Sequence, residues 1–245
     1  MSHPLSDRIN SLPVSETLAM AAKARELRAE GKDIIGLSLG EPDFNTPDFI
    51  KDAAIEAIHQ NYNSYSPVDG YVELKEAICT KFKRDNDLTY KPSQIVVSTG
   101  AKQSIANVAQ VLLNPGDEVI LPTPYWVSYS AIATLCEATS IEIPSSIETN
   151  YKITPAQLEA AITPKTKLVM FNSPNNPSGT IFTEAEYRAL GKVLEKYPDI
   201  FILSDEIYEH ISYGEKHESL AQFDFIKDQV VVINGLSKGF AMTGW

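Results

Sequence analysis

From Gln94 onward the chain alternates short apolar, β-branched runs with amphipathic helical patterns, and that rhythm leaves few folds open. The runs are residues 95–97, 118–121, 140–143, 167–171, 200–203 and 230–233. Helical patterns lie between most of them. One carries Ile105, Val108, Ala109 and Leu112, another Tyr187, Leu190 and Leu194, and both are spaced for a single apolar face. Strands alternating with helices predict an α/β fold, a mainly parallel sheet sandwiched by helices. Upstream, residues 15–31 read as a helix with Ser15 as candidate N-cap and Gly31 as its stop. Residues 34–39 form a short apolar segment, and 47–60 and 72–86 read as amphipathic helices. The first 45 or so residues stand outside the rhythm and read as part of another unit.

At 245 residues the chain is long enough for a large core, in one big domain or two. A net charge of −11 argues against nucleic acid as a partner, which selects basic faces. Cys79 and Cys136 lie far apart in helical patterns and are expected to be buried thiols of a reducing cytoplasm. The polar start lacks the apolar stretch of a signal peptide, and no apolar run is long enough to span a bilayer. The expectation is a cytoplasmic protein with no membrane contact.

The chemistry lies in the segments just past the strand ends. Residues 230–233 run into Gly235, Leu236, Ser237 and Lys238. A lysine just past the end of a core strand needs a partner, and in an open parallel sheet that is where ligands bind. An aldehyde is one such partner, because the amine forms a Schiff base with it. A lysine snorkelling to solvent is the alternative. After 167–171 comes Asn172-Ser173-Pro174-Asn175-Asn176-Pro177-Ser178-Gly179, and after 200–203 comes Ser204-Asp205-Glu206-Ile207-Tyr208. Taken singly, the asparagines are also turn chemistry and Asp205 could cap a helix. Together, an amide, a carboxylate with a phenol, and an amine at strand ends of one sheet make a convergent polar set.

Two further pieces fit a phosphorylated ring. Ser98-Thr99-Gly100-Ala101-Lys102-Gln103 opens a helix, and free N–H groups at such a terminus bind phosphate. Neither Gly-x-x-x-x-Gly-Lys-[Ser/Thr] nor Gly-x-Gly-x-x-Gly occurs, which disfavours a Walker loop and a nicotinamide dinucleotide. Trp126, in Pro122-Thr123-Pro124-Tyr125-Trp126, could stack on a planar ring or simply pack in the core.

These residues, with Gly40-Glu41-Pro42-Asp43-Phe44, the segment 63–70 and the segment 237–245, resemble those of fold-type I pyridoxal-phosphate aminotransferases of class I. The branch they most resemble is that of the bacterial aspartate aminotransferases. The resemblance implies a lysine-bound pyridoxal 5′-phosphate Schiff base at Lys238, with the same lysine shuttling protons. Asp205 would pair with the pyridinium nitrogen, Tyr208 and Asn176 would bond the ring 3′-oxygen, and Trp126 would stack on the ring. Gly100, Ala101 and Lys102 would cradle the phosphate. Tyr65 would reach the phosphate of a neighbouring subunit, which implies a homodimer with shared active sites. Gly40 would meet the substrate carboxylate, and Trp126 and Asn176 also border the substrate. Ser15, Thr17 and Lys102 resemble positions that recognise the side-chain carboxylate of aspartate. No metal is implied.

The same resemblance implies an N-terminal arm and part of a small domain in residues 1–45, and a large cofactor-binding domain in 46–245. Family members carry an arginine right after Thr-Gly-Trp and another far downstream that clamps the substrate carboxylate. Here the sequence stops at Trp245, and its arginines (Arg8, Arg25, Arg28, Arg84 and Arg188) lie away from strand ends. The resemblance therefore implies a C-terminally truncated chain lacking the rest of the small domain. The expected activity is transfer of an amino group between an L-amino acid, aspartate first, and a 2-oxo acid. A C–S β-lyase on the same fold is the alternative enzyme, and a non-catalytic cofactor-binding fragment the alternative of another kind.

Overall fold

The computed structural model describes residues 5–12, 16–36 and 40–245. Helices come first: α1 Asp7–Asn10, α2 Glu16–Ala29, α3 Asp48–His59, α4 Val72–Asn86 and α5 Ala101–Leu112. The alternating part comes next, with β1 Glu118–Pro122, α6 Ser128–Leu135, β2 Thr139–Ile143, α7 Pro155–Ala161 and β3 Thr166–Asn172. It continues with α8 Glu184–Leu194, β4 Phe201–Asp205, β5 Val230–Ile233 and α9 Leu236–Gly239. The five strands form one sheet in the order β2-β1-β3-β4-β5, and every pairing is parallel.

Strand alternation sends neighbouring residues to opposite faces, so each face builds its own core. On one face Ile120, Val169, Phe171 and Ile202 pack with Leu158 of α7 and Tyr187, Leu190 and Leu194 of α8. On the other, Val119, Leu121, Leu168, Met170 and Leu203 pack with Ile105 and Ala109 of α5 and Tyr129 and Ile132 of α6. Leu168 in the central strand is fully buried, and truncating such a side chain to alanine costs about 2–5 kcal/mol. The helices start where the chain supplies caps. Thr183 accepts from the Glu186 N–H while Glu186 reaches back to the Thr183 N–H, and Thr154 and Gln157 do the same for α7.

The run 95–97 is not a strand. It is extended, but its backbone bonds are the Ile95 N–H to Pro92 C=O turn bond and the Val97 N–H to Asp69 C=O bond, both at 3.1 Å, with no strand beside it among the described residues, and Val96 is exposed. β-Branched composition favours a pleated surface only where a neighbouring strand offers one. The two thiols are half-buried and free, not fully buried as expected. Among the described residues no helix is long and apolar enough to cross a membrane.

The segment before α3 meets the C-terminal residues. Thr46 Oγ1 donates to the Ala241 carbonyl at 2.6 Å, and Trp245 Nε1 donates to Thr46 Oγ1 at 3.2 Å.

Candidate active site

Sheet register aligns the strand ends that carry the polar set. Asn172 of β3 pairs with Asp205 of β4, which pairs with Ile233 of β5. All three strands run the same way, so the segments after them emerge on one rim. Beyond that rim lies an open cleft of about 1320 Å³. Its walls include Lys238, Asp205, Tyr208, Asn176, Trp126, Lys102, Gly100, Ala101 and Gly40. Tyr65 is fully exposed and does not border the cleft. Thr17 stands on α2, and Ser15 lies outside the described residues. The arginines are on α1, α2, α4 and α8, and none borders the cleft.

Asp205 is the electrostatic centre of the rim. Only 3% of it is exposed. Tyr129 Oη donates to its Oδ2 at 2.6 Å, and the Ile207 N–H donates to Oδ1 at 3.2 Å. Burial penalises the carboxylate more than these two donors help it, and the neighbouring Glu206 charge adds to the penalty. The Asp205 pKa is pushed up to about 6. Asn172 then ties the rim together. Its amide donates to the Asp205 carbonyl at 2.9 Å, and its Oδ1 accepts from the Asn176 N–H at 2.7 Å.

Asn176 Nδ2 donates to Tyr208 Oη at 3.3 Å. Burial raises the Tyr208 phenol pKa, the Asn176 bond opposes that rise, and the Asp205 charge reinforces it. Lys238 Nζ donates to the Gly40 carbonyl at 2.7 Å. Burial lowers the pKa of this amine, with Glu41 opposing, so the neutral, nucleophilic form is easier to reach than in a solvated lysine.

The opposite wall is the start of α5. Gly100 sits at φ 89°, ψ 155°, a region that is essentially closed to residues with a Cβ. Ala101 and Lys102, the first two residues of α5, line the cleft, and N–H groups at these positions have no intrahelical acceptor. Lys102 Nζ stands 4.8 Å from the centre of the Trp126 ring, and the Trp126 ring meets Tyr129 edge-on at 5.5 Å.

Sequence reasoning missed two residues here. Asn172 was legible only as the first polar residue after an apolar run. Tyr129 comes three residues after Trp126, the helical spacing that brings it under the same wall, but nothing local points its hydroxyl at Asp205.

The donor set suits a flat phosphorylated pyridine. A buried carboxylate can face a protonated ring nitrogen, an amide–phenol pair can face a ring oxygen, a helix start beside an ammonium can face phosphate, and an amine can face an aldehyde. Residues 32–245 match the family model described as aminotransferase class I and II. Aspartate aminotransferase of Bacillus subtilis is 51% identical over 98% of this chain, and aspartate/prephenate aminotransferase of Nitrosomonas europaea is 50% identical over 98%. The crystal structure of the Rhizobium meliloti aspartate aminotransferase superposes with a TM-score of 0.96 at 46% identity over 100% of this chain. Aspartate aminotransferase of Thermus thermophilus with maleate superposes at 0.95 with 40% identity, again over 100% of this chain. This chain spans about 62% of the length of the Bacillus and Rhizobium proteins, 61% of the Nitrosomonas protein and 63% of the Thermus chain. By its match over residues 32–245 and its identity of about half to these relatives, the chain belongs to the class I and II aminotransferase family.

Proposed function

We propose that the protein carrying this chain moves an amino group between aspartate and a 2-oxo acid, with pyridoxal phosphate in the strand-end cleft. One observation carries the reading: the Lys238 amine and the buried Asp205 carboxylate open on one cleft, together with the Asn176–Tyr208 pair. When bound, pyridoxal phosphate supplies an aldehyde for an amine and a ring that accepts electrons from the amino-acid Cα.

The chain's own residues do the rest. Lys238 contributes an amine whose charged form is disfavoured by burial, and it holds and returns the proton at Cα. Asp205 faces the ring nitrogen and keeps a proton there. Tyr208 and Asn176 donate to the ring oxygen, Trp126 covers one ring face, and Gly100, Ala101 and Lys102 hold the phosphate. The Gly40 backbone meets the substrate α-carboxylate.

Aspartate specificity rests on Ser15, Thr17 and Lys102, and it is in keeping with relatives named for aspartate and with a relative whose structure carries maleate, a dicarboxylate. Tyr65, exposed and away from its own cleft, reaches the phosphate of the partner in a homodimer. Residues 1–45 belong to the arm and small domain and 46–245 to the large domain. The two free thiols suit a reducing cytoplasm.

The test is a half-reaction with the full-length protein. Aspartate alone should convert bound pyridoxal phosphate to pyridoxamine phosphate, with the absorbance change to match. Release of pyruvate from cystathionine without that conversion would overturn transamination in favour of β-lyase chemistry.

A further inference from the structure

Directly behind Asp205, turned away from the cleft, lies a second buried carboxylate. Glu206 is fully buried, although carboxylates are almost never so without partners. Its partners are specific. Ser204 Oγ and Ser219 Oγ both donate to Oε1, at 2.8 and 2.6 Å, and His217 Nε2 lies 3.0 Å from Oε2. The Glu206 backbone N–H donates to the Ile233 carbonyl at 2.8 Å, so the residue also ties the end of β4 to the end of β5, a few residues before Lys238. None of Glu206, Ser204, His217 and Ser219 borders the cleft.

We propose that Glu206 is a positioning residue for the site: its buried carboxylate, held from behind by Ser204, Ser219 and His217, fixes the Asp205 turn and adds a second negative charge that keeps the ring nitrogen of bound pyridoxal phosphate protonated. This rests on the reading of Asp205 given above. A carboxylate accepts at both oxygens, and the two serine hydroxyls supply donors to one of them. Its charge already acts on its surroundings. It strengthens the proton affinity of Asp205 and adds to the burial that pushes the Tyr90 phenol up to about 12. The titratable groups that face it are His217 and Glu209, whose ligand atoms lie within 4.8 Å of it and of each other, Tyr90 from the segment after α4, Tyr187 from α8, and Asp205 itself. A proton on the ring nitrogen would therefore lie in the field of two carboxylates rather than one.

The experiment uses the full-length holoenzyme loaded with ring-¹⁵N pyridoxal phosphate, and monitors the ¹⁵N resonance across a pH titration. Glu206→Gln keeps the shape and removes the charge. The pH at which the ring nitrogen loses its proton should fall by about one unit while the melting temperature shows a folded protein. Glu206→Asp, which keeps the charge, should restore most of that shift. If Glu206→Gln does not fold, the double variant Ser204→Ala with Ser219→Ala removes the donors that hold the charge and should move the midpoint the same way by a smaller step. Asp205→Ala is the control for the underlying reading. An unmoved midpoint in the folded Glu206 variant, or in the serine pair when that variant does not fold, overturns the inference if Asp205→Ala shifts it. If Asp205→Ala leaves it unmoved as well, the Asp205 assignment fails and takes the inference with it.

Discussion

Lys238 Nζ and the Gly40 carbonyl meet at 2.7 Å across 198 residues of chain. The Lys238 amine is held at the cleft by a backbone carbonyl from the segment before α3. Nothing local in either segment announces this contact, because residues so far apart leave no periodicity to read. A Cβ on Gly40 would stand 3.7 Å from the same nitrogen, an ordinary van der Waals contact, so the bond to the amine rests on the backbone and not on the absence of a side chain.

Borohydride reduction of the loaded protein should fix pyridoxyl mass on the peptide containing residues 235–240. Lys238→Ala should still take up cofactor through the phosphate and ring contacts. Its turnover should fall by at least about 10²–10⁴-fold, the usual worth of a positioned acid–base group, with the covalent anchor lost besides. Peptide mass spectra that show the label on any other lysine contradict the assignment.

Asp205→Ala should lose transamination rate on the order of 10³-fold, if about 4 kcal/mol of transition-state stabilisation goes with it. Asp205→Glu keeps a carboxylate near the ring and should retain more. Single-turnover rates with aspartate measure both, and near-normal rates in Asp205→Ala would count against the role.

In the cofactor-free protein the same group should make stability fall with rising pH. Its folded pKa of about 6 lies above the ordinary 3.8, so the folded chain binds this proton more tightly than the unfolded chain does. The contribution is fully present below about pH 4 and is lost as pH rises through about 6. It amounts to roughly 3 kcal/mol as an order of magnitude. Urea denaturation of wild type and Asp205→Asn over that window isolates it. The stability difference between the two should drift steadily from pH 4 to 6 and level off above, and a flat difference rules the buried proton out.

Tyr129→Phe removes the donor at 2.6 Å from Asp205 Oδ2 and little volume. A hydrogen bond to a charged group contributes about 1.5–3 kcal/mol. The expected result is a tenfold or greater loss of rate with the pH profile moved upward, since the carboxylate form loses support. An unchanged profile would mean that the hydroxyl serves packing alone.

Gly100→Ala meets no atom within 4 Å, so any cost is conformational. At φ 89° and ψ 155° an alanine is strained by about 1–3 kcal/mol. Relief would rotate the start of α5 away from the cleft, so cofactor affinity should fall along with the melting temperature. A fluorescence titration with pyridoxal phosphate reads the first and calorimetry the second.

The sheet was legible because its signal is local. β5 occupies residues 230–233 as read, and the other strands differ by one or two residues at their ends. The run 95–97 misled because composition reports what a segment tolerates, whereas a ladder needs a neighbour that sequence does not display. Among the described residues, nine candidate site residues line the cleft, since each lies past a strand end, opens a helix or belongs to a recognisable motif. Tyr129, Asn172 and Glu206 escaped notice for a different reason. Their importance lies in what they touch, and a buried glutamate in particular looks in sequence like one more surface charge.

All five strands point the same way, and that has a consequence for change over time. The spacing between the Asp205 carboxylate, the Asn172 amide and the segment leading to Lys238 is set by hydrogen bonds inside the sheet, at a fixed pitch of about 4.8 Å per strand. A longer helix on the outside, or an altered loop at the opposite rim, leaves that pitch untouched. The molecule can thus revise its outer surface while the spacing of the strand ends that carry Asn172 and Asp205 and lead toward Lys238 stays as it is.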